Sequence, residues 1–453
     1  MLKIAVCVKI VSGEINPFDA CALECALQAE NAEVTVLSMG AESTESELLR
    51  ISRLGVSRVI LLTDPRLAGS DTLVTGYALS CALKKLEPDL VMCGRQSIDG
   101  DTAQVGPCLS EMLGFGLITN VMSIEKLSET VECETRLGHE TAKLPAVLTV
   151  ERINSLRFPR LRSAAKPVER WNIESIGANP ERCGLSASPT RVLKTFESHL
   201  GARKCRFITL DELDAAVEAA LKKNNNTEVQ QYSGDKLKSI TVIGDALEET
   251  ARGLAENVKV INETSAERIA ELVRCDEAVL WKADLWGRRT APRVAAMLST
   301  GLCADCTKLE TDGKRLLMYR PAFGGTLTAK IECRTRPQMA TVRCADTAES
   351  GSIVVGVGRG ALGGKEKCIR LAERYGAELA ASRAAVDMGA FDYSRQVGLT
   401  GKSICAKVYI ACGISGAVQH TCAIERVGTV IAINPDKNAR IFDFADYGII
   451  GSL

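Results

Sequence analysis

Four short apolar runs near the start of the chain, KIAVCVK, EVTVLSM, SRVILLT and DLVMCGR, are separated by longer stretches of helical period, PFDACALECALQAE, ESTESELLRISRLG and SDTLVTGYALSCALKKLE. That alternation constrains the fold more than any other feature. Strands joined through helices of this length cannot be hairpins; they require a parallel sheet built from right-handed crossovers. Such sheets bind ligands outside the carboxyl ends of their strands. The order recurs in a second α/β unit that opens at SITVIGD and runs to about Ala348, and in a third that opens with SIVVGVGRGALGGKEKCIRLAERYG. The expected fold class is therefore α/β, with three α/β domains and mainly parallel sheets.

The chain has 453 residues, with 56 Lys and Arg against 56 Asp and Glu. No global field recruits nucleic acid or an anionic membrane, so neither is expected as a partner. No window approaches the run of about 18 apolar residues that a membrane span needs. The opening MLKIAVCVKIVSGE carries a Lys inside its apolar run and has no small-residue cleavage site, so it reads as a strand, and a cytoplasmic location is expected. The 18 cysteines are scattered through apolar runs such as KIAVCVK and VYIACG, where they read as small buried hydrophobes in a reducing compartment. One C-x-x-C, Cys303-Ala-Asp-Cys306, lacks a second pair at metal spacing, and no metal site is expected.

Three glycine-rich segments carry the chemistry. GISGAVQH, residues 413 to 420, follows the apolar run KVYIAC. A strand that ends in a glycine loop and opens a helix leaves unpaired backbone N–H groups where an anion can sit. His420 lies about one helical turn further in, and it reads either as a core or capping histidine or as a cofactor contact. In GRQSIDGDTAQVGP, residues 94 to 107, Gly100 permits a tight turn, Asp99 or Asp101 can cap the helix, and the N–H groups near Thr102 to Gly106 can face a phosphate. An ordinary capped helix start fits that stretch as well. GVGRGALGG, residues 356 to 364, is not the G-x-G-x-x-G dinucleotide fingerprint, but its glycine density implies a closely approached backbone. ASRAAVD, RQVGLTGK, INPD and FADYG add four more strand-end loops around GISGAVQH, a series that reads as the wall of one elongated ligand.

The block SRAAVD, QVGLTGK, YIACGISGAVQH, AINPD and ADYGI resembles the flavin-binding domain of the α subunit of electron transfer flavoproteins. RPAFGGTLTAKI and RPQMATVR resemble that subunit's first domain. INPFDACALECAL, LSMG, GSDTLVTGYAL, GRQSIDGDTAQVGP and SPTRVLKTF resemble the β subunit. The resemblance implies a fused single chain in the order β then α. A β-like nucleotide-binding domain would span 1–223, a linker 224–236, an α-like N-terminal domain 237–348 and an α-like FAD-binding domain 349–453. The resemblance also implies the folds of the three domains: adenine-nucleotide α-hydrolase-like for the β and first α domains, doubly wound for the last. FAD would lie in the last domain, its ring against Arg383 with Ser382 beside it and Gln396, Val397, Gly398, Thr400 and Gly401 on the other side. Gly413, Ser415, Gly416, Gln419 and His420 would form the turn at the ring, and Asn434 and Asp446 would hold the ribityl and adenosine portions. Reduction adds negative charge at the pyrimidine end of a flavin, so Arg383 and His420 would favour the reduced forms and set the potential. A second nucleotide, AMP or a second FAD, would lie against Val8, Asn16, Met39, Gly40, Asp99, Gly100, Asp101, Thr102, Gln104, Val105 and Gly106.

The resemblance implies an electron carrier that accepts electrons from an acyl-CoA-dehydrogenase-type flavoenzyme and passes them to a quinone oxidoreductase or to ferredoxin or flavodoxin. The alternative is a bifurcating NADH oxidoreductase with its second FAD in the first domain. A non-redox adenine-nucleotide module would account only for the first domain. The basic excursion Arg152 to Lys166 corresponds in position to the family's partner-recognition loop, and the polar stretch Cys344 to Ser352 is a candidate hinge. Two departures stand out: only Ile10 to Ile15 separate Lys9 from Asn16, a contracted loop, and Leu399 stands where many relatives have Gln.

Overall fold

Asn16-Pro17 begins a helix, Pro17–Gln28, because proline at the first helical position lacks only an N–H that would have no partner there. This helix follows the strand Leu2–Val8, an inner strand of a nine-stranded sheet in the computed structural model. The model describes residues 1–197, 203–222, 234–343, 345–347, 353–424 and 427–453. The spatial order of the sheet is Val168–Trp171, Arg58–Leu62, Ala32–Met39, Leu2–Val8, Leu90–Gly94, Ala146–Val150, Gly116–Leu127, Thr130–Thr135 and Gly138–Lys143. The first seven run parallel and the last two close the edge antiparallel. Ile4, Val6 and Val8 enter one core with Leu23 and Leu48, while Ala5 and Cys7 enter the core on the other face with Leu79 and Leu83. Burial on both faces explains why these strands are unbroken apolar runs.

A second parallel sheet follows, in the order Ala255–Ile261, Leu237–Ile243, Ala278–Lys282, Gln338–Val342 and Leu302–Cys306. Residues 1–195, 233–323 and 329–342 form one compact unit that contains both of these sheets. Two of the three expected domains therefore share a unit.

The second unit comprises residues 196–232, 324–328 and 343–453. Its seven strands are all parallel, in the order Arg206–Phe207, Tyr447–Ile450, Thr429–Asn434, Val408–Cys412, Ile353–Val357, Glu378–Ser382 and Gln396–Val397. Without the Arg206–Phe207 edge, this is the doubly wound order in which the first strand lies between the second and the fourth.

The expected first boundary at residue 223 does not follow the packing. The helix Leu213–Lys222 buries Leu213, Ala216, Val217 and Ala220 against Ile353, Val355, Ile410 and Ile431 of the second unit. Phe207 pairs with Gly448, where a Cβ would stand 2.8 Å from Cys205 Sγ and 2.9 Å from the Phe207 ring. The helix's apolar stripe signals a buried face, but periodicity does not name the surface that covers it. Most of the expected linker 224–236 (224–233) and of the expected hinge (344 and 348–352) lies outside the described residues. Among the described residues no helix is long and apolar enough to cross a membrane.

Leu213→Ala is expected to cost the second unit about 2–5 kcal/mol, the range for truncating a buried leucine. Urea unfolding monitored by circular dichroism measures it, and an unchanged transition would detach this helix from the core.

Candidate functional site

In the second unit the strand order reverses between Ile353–Val357 and Val408–Cys412, and the loops leaving these two strands diverge. Their glycines interlock. Gly358 N–H donates to Cys412 O at 2.8 Å, Gly360 N–H to Gly413 O at 3.1 Å, and Gly413 N–H to Ile433 O at 2.8 Å. Gly413 has φ +62, and a Cβ there would meet Ala361 N at 2.3 Å; a Cβ on Gly358 would meet Gly413 O at 2.2 Å. The close approach that the glycine density implied is thus an approach of the two loops to each other.

The other predicted loops reach the same carboxyl edge. Ser382 caps a short helix, accepting from Ala385 N–H at 3.4 Å, and Arg383 pairs with Asp387 at 3.2 Å. The loop after Gln396–Val397 folds onto the GISGAVQH turn: Leu399 N–H donates to Gln419 O at 2.6 Å, and a Cβ on Gly398 would lie 2.9 Å from that same oxygen. Gly401 packs on the Gln396 carbonyl, which a Cβ would meet at 2.2 Å. Gln396 Nε2 donates to Thr400 Oγ1 at 2.7 Å, which leaves the buried Gln396 Oε1 without a partner among the described residues. Gln419 and Ser415 are exposed, and Ser415 O receives Ile441 N–H at 3.2 Å. Asn434 donates from Nδ2 to Ile414 O at 2.9 Å and accepts at Oδ1 from Asp436 N–H at 3.0 Å.

His420 joins the two readings left open by the sequence. Its Nε2 meets the buried Tyr409 hydroxyl at 2.9 Å, a core contact, while Nδ1 has no well-formed hydrogen bond. Tyr409 in turn fits only because residue 356 is glycine, whose Cβ would stand 1.9 Å from the Tyr409 hydroxyl oxygen. Burial pushes the imidazole down to about 4, against a weak opposing pull from the Val397 carbonyl, so His420 is neutral at pH 7.

Asp446 departs from the expectation. It sits at the amino edge of the sheet, where Oδ2 accepts Val430 N–H at 2.8 Å and pairs with Arg203, and its backbone N–H donates to Val430 O at 2.8 Å. Strands in a parallel sheet present their ligand loops at the other end, so Asp446 is a structural tie and not a wall of the carboxyl-edge site. At the carboxyl end of that last strand, Gly451, Ser452 and Leu453 instead line a cavity of about 250 Å³ with Gly360, Ala361, Gly363, Gly364, Gly413 and Pro435. The GVGRGALGG segment pointed to this wall; the residues after Ile450 carried no sequence signal for it.

The first unit has its own carboxyl-edge cavity, about 450 Å³, between the ends of Leu2–Val8 and Leu90–Gly94. Of the residues expected at a second nucleotide, Val8, Met39, Gly100, Thr102, Gln104, Val105 and Gly106 line it, whereas Asn16, Gly40, Asp99 and Asp101 do not. Asn16 ties the loop from behind, donating from Nδ2 to Gln96 O at 2.9 Å. Asp99 pairs with Lys9 Nζ at 2.6 Å and Asp101 accepts from Gln96 Nε2 at 2.9 Å, so neither caps the helix Val105–Leu113. Its N-cap is Gln104, without a side-chain cap, because that side chain is taken up by Thr72 Oγ1 at 2.5 Å and Leu302 O at 3.0 Å. Gly40 packs on Thr44, and Gly106 is required by Thr149, whose Cγ2 a Cβ would meet at 2.3 Å.

Two groups in this cavity had no sequence signal. Asp19 accepts the N–H of Lys9 at 2.8 Å and of Gly94 at 2.9 Å, joining the ends of the two central strands. Burial pushes its carboxyl up to about 7, against those two hydrogen bonds. Arg320, 5 % exposed, donates from Nη1 to Gly100 O at 2.6 Å, while Nε and Nη2 have no partner among the described residues. A buried guanidinium with open donors is a strong demand for an acceptor from outside the protein.

The electron transfer flavoprotein domain pattern matches residues 5–176 and 255–345, and the electron transfer flavoprotein FAD-binding domain pattern matches 348–425. The electron transfer flavoprotein subunit alpha of Thermoanaerobacterium thermosaccharolyticum is 42% identical over 236 residues, 42% of this chain and 71% of that protein. The subunit beta of Megasphaera elsdenii is 39% identical over 201 residues, 40% of this chain and 74% of its own length. Protein FixA of Bradyrhizobium diazoefficiens is 37% identical over 222 residues, 44% of this chain and 77% of FixA.

Two outcomes test the geometry. An unfolded imidazole takes a proton near its ordinary value and the folded His420 only near about 4, so stability present at pH 7 is lost as the pH falls through this window. Between pH 7 and pH 5 the loss from this group is about 2 kcal/mol; His420→Gln should remove it in urea titrations at the two pH values. Arg320→Met should leave the ligand-free chain at least as stable while abolishing thermal stabilisation by added AMP, and retained stabilisation would deny Arg320 a ligand contact.

Proposed function

The chain belongs to the electron transfer flavoprotein family, with α-like and β-like parts in one polypeptide, and from that premise we propose that it carries electrons from an acyl-CoA-dehydrogenase-type flavoenzyme to a quinone oxidoreductase, ferredoxin or flavodoxin. The observation that carries this reading is the buried Gln396 Oε1, without a partner among the described residues, at the same carboxyl edge of the doubly wound sheet as His420, whose Nδ1 has no well-formed hydrogen bond and only the Val397 carbonyl near it. One is an acceptor. The other becomes a donor when the Tyr409 hydroxyl donates to Nε2 and fixes the proton on Nδ1. A flavin's pyrimidine edge offers both an N–H and acceptor atoms, so the residues fit the group. When bound, FAD supplies one- and two-electron chemistry that no side chain here can supply.

The chain's own residues then have definable roles. Tyr409 and Gly356 hold the His420 ring, and the neutral imidazole can donate without carrying charge into a buried site. Arg383, about one-third exposed and already paired with Asp387, contributes positive charge near the ring end of the wall. In this reading the cavity at Gly360–Gly364 and Gly451–Leu453 takes the nucleotide end. In the excursion after Val150, Arg157 is spent on Glu24 at 2.8 Å, while Arg152, Arg160 and Arg162 are exposed beside Phe158 and Leu161, which are 88% and 99% exposed. A tip that combines apolar and basic side chains suits docking on a partner flavoenzyme.

The first unit's cavity admits a second reading: Arg320 offers two open donors to a ligand, while the contracted loop Ile10–Ile15, a tight two-stranded turn, argues the other way. A second FAD there, in place of AMP, would make the chain a bifurcating NADH oxidoreductase.

The nucleotides released from the purified chain, separated and counted, decide between these readings. One FAD and one AMP support the simple carrier, two FAD the bifurcating enzyme, and no flavin after reconstitution would overturn both. His420→Ala should retain FAD and lower its potential, by about 60 mV for each 1.4 kcal/mol of lost interaction in a one-electron step. An unchanged potential in spectroelectrochemical titration would remove His420 from the flavin.

A further inference from the structure

The excursion that follows Val150 is fastened to the helix Pro17–Gln28, chiefly by Glu24, whose side chain is buried. Glu24 Oε2 accepts the backbone N–H of Arg157 at 3.0 Å and its Nε at 3.0 Å, while Oε1 accepts Nη2 of the same guanidinium at 2.8 Å. Gln28 Nε2, one turn along the helix, donates to Oε1 at 3.1 Å. Burial alone would raise the Glu24 carboxyl, but the hydrogen bonds from Arg157 and Gln28 hold it below its ordinary range, so it is ionised at pH 7. The same helix holds the preceding residues more loosely. Cys21 Sγ donates to Asn154 O at 3.1 Å, and Asn154 Nδ2 donates to Cys25 Sγ at 3.6 Å. Ile153 and Leu156 turn inward onto the core.

The excursion is tied again where it returns. Arg53 Nε donates to Ser163 O at 3.0 Å, Lys166 N–H to Ser52 Oγ at 2.9 Å, and Lys166 Nζ to Val56 O at 2.6 Å. Between the two ties, residues 158–162 form a turn in which Ser163 N–H and Oγ both donate to Arg160 O, at 3.0 and 2.8 Å. Phe158 and Leu161 point away from the core, almost wholly exposed. A surface ion pair adds little to global stability. A bidentate pair that also takes the backbone N–H of the residue before the tip fixes the direction in which the chain leaves the surface.

We propose that Glu24 is a positioning residue: by holding Arg157 it presets the 158–161 tip, so that a partner receives Phe158 and Leu161 already ordered. The proposal rests on the reading of this excursion as the docking site for a flavoenzyme. The partner surface that fits is an apolar pocket edged by carboxylates, which meet the exposed Arg152, Arg160 and Arg162. Ordering a loose loop at the moment of docking costs conformational entropy, and a loop fixed beforehand does not lose it again. Glu24 lines neither cavity, so it acts on docking and not on the nucleotides.

Two variants open the clamp from opposite sides. Glu24→Gln keeps the size of the side chain and removes its charge, and Arg157→Ala leaves the helix untouched. Hydrogen exchange followed by mass spectrometry should show peptides covering 154–166 exchanging about tenfold faster in both variants, with the rest of the chain unchanged. With an acyl-CoA dehydrogenase, reduced by its acyl-CoA, as electron donor, the KM for the full-length FAD-loaded chain should rise about tenfold, with kcat and the flavin potential unchanged. Leu161→Ala should also raise KM, but less when combined with Glu24→Gln, because a residue that acts through the tip has less to act on once the tip is truncated. Unchanged exchange across 154–166 would overturn the proposal. So would an unchanged KM, or full additivity of Leu161→Ala and Glu24→Gln. If the dehydrogenase fails to reduce the unsubstituted chain, the flavoenzyme reading falls instead, and hydrogen exchange in the two variants still judges whether Glu24 fixes the tip.

Discussion

Parallel strands that diverge at their carboxyl ends leave backbone N–H groups with no neighbouring strand to accept them, and both units of this chain are organised around satisfying those groups. In the first unit a side chain does it: Asp19 accepts from Lys9 and Gly94 at the ends of the two central strands. Burying that carboxyl raises its proton affinity to near neutrality, a cost accepted for joining two strand ends with one residue. In the second unit the backbone does it, through Gly358, Gly360 and Gly413. No charge is buried there, but no side chain is tolerated either, since a Cβ on Gly358 or Gly413 would come within 2.3 Å of main-chain atoms. The first solution leaves a cavity with a titratable floor, the second a cavity walled by peptide groups.

Those two solutions also explain what was legible in the sequence. The strands of the first sheet stand where their apolar runs were, because burial on both faces leaves few alternatives for such runs. The glycine loops were legible as places of close approach, although what approaches is another stretch of the same backbone. Asp446 was misread because ADYGI is a strand with its aspartate at the amino end, and a motif quoted as a block does not say which end of the strand meets the ligand. Asp99 and Asp101 looked like helix caps, but local composition could not foresee that Lys9 and Gln96, distant in sequence, compete for them. Asp19 and Arg320 were invisible for the same reason. Each is an ordinary residue in an ordinary helix or strand until tertiary structure removes its water and leaves it facing a cavity.

The pair of His420 and Tyr409 shows how a site can borrow rigidity from a core. The ring is held by a hydroxyl from the neighbouring strand, and the hydroxyl is admitted by the missing side chain of Gly356. Orientation of the His420 imidazole therefore depends on a packing choice made at Gly356, two residues before the Gly358 loop begins, on the neighbouring strand.

Because the helix Leu213–Lys222 and the strand Arg206–Phe207 pack in the second unit while the residues after them return to the first, neither unit is a continuous piece of chain. During synthesis the helix emerges long before the strands that bury Leu213 and Val217, and it must wait with an apolar face uncovered while the first unit closes. A fragment cut at residue 349 would lack that cover altogether. The polypeptide is thus stitched rather than strung: its order of manufacture and its order of folding differ, and the two units cannot be separated by a single cut without leaving part of one behind.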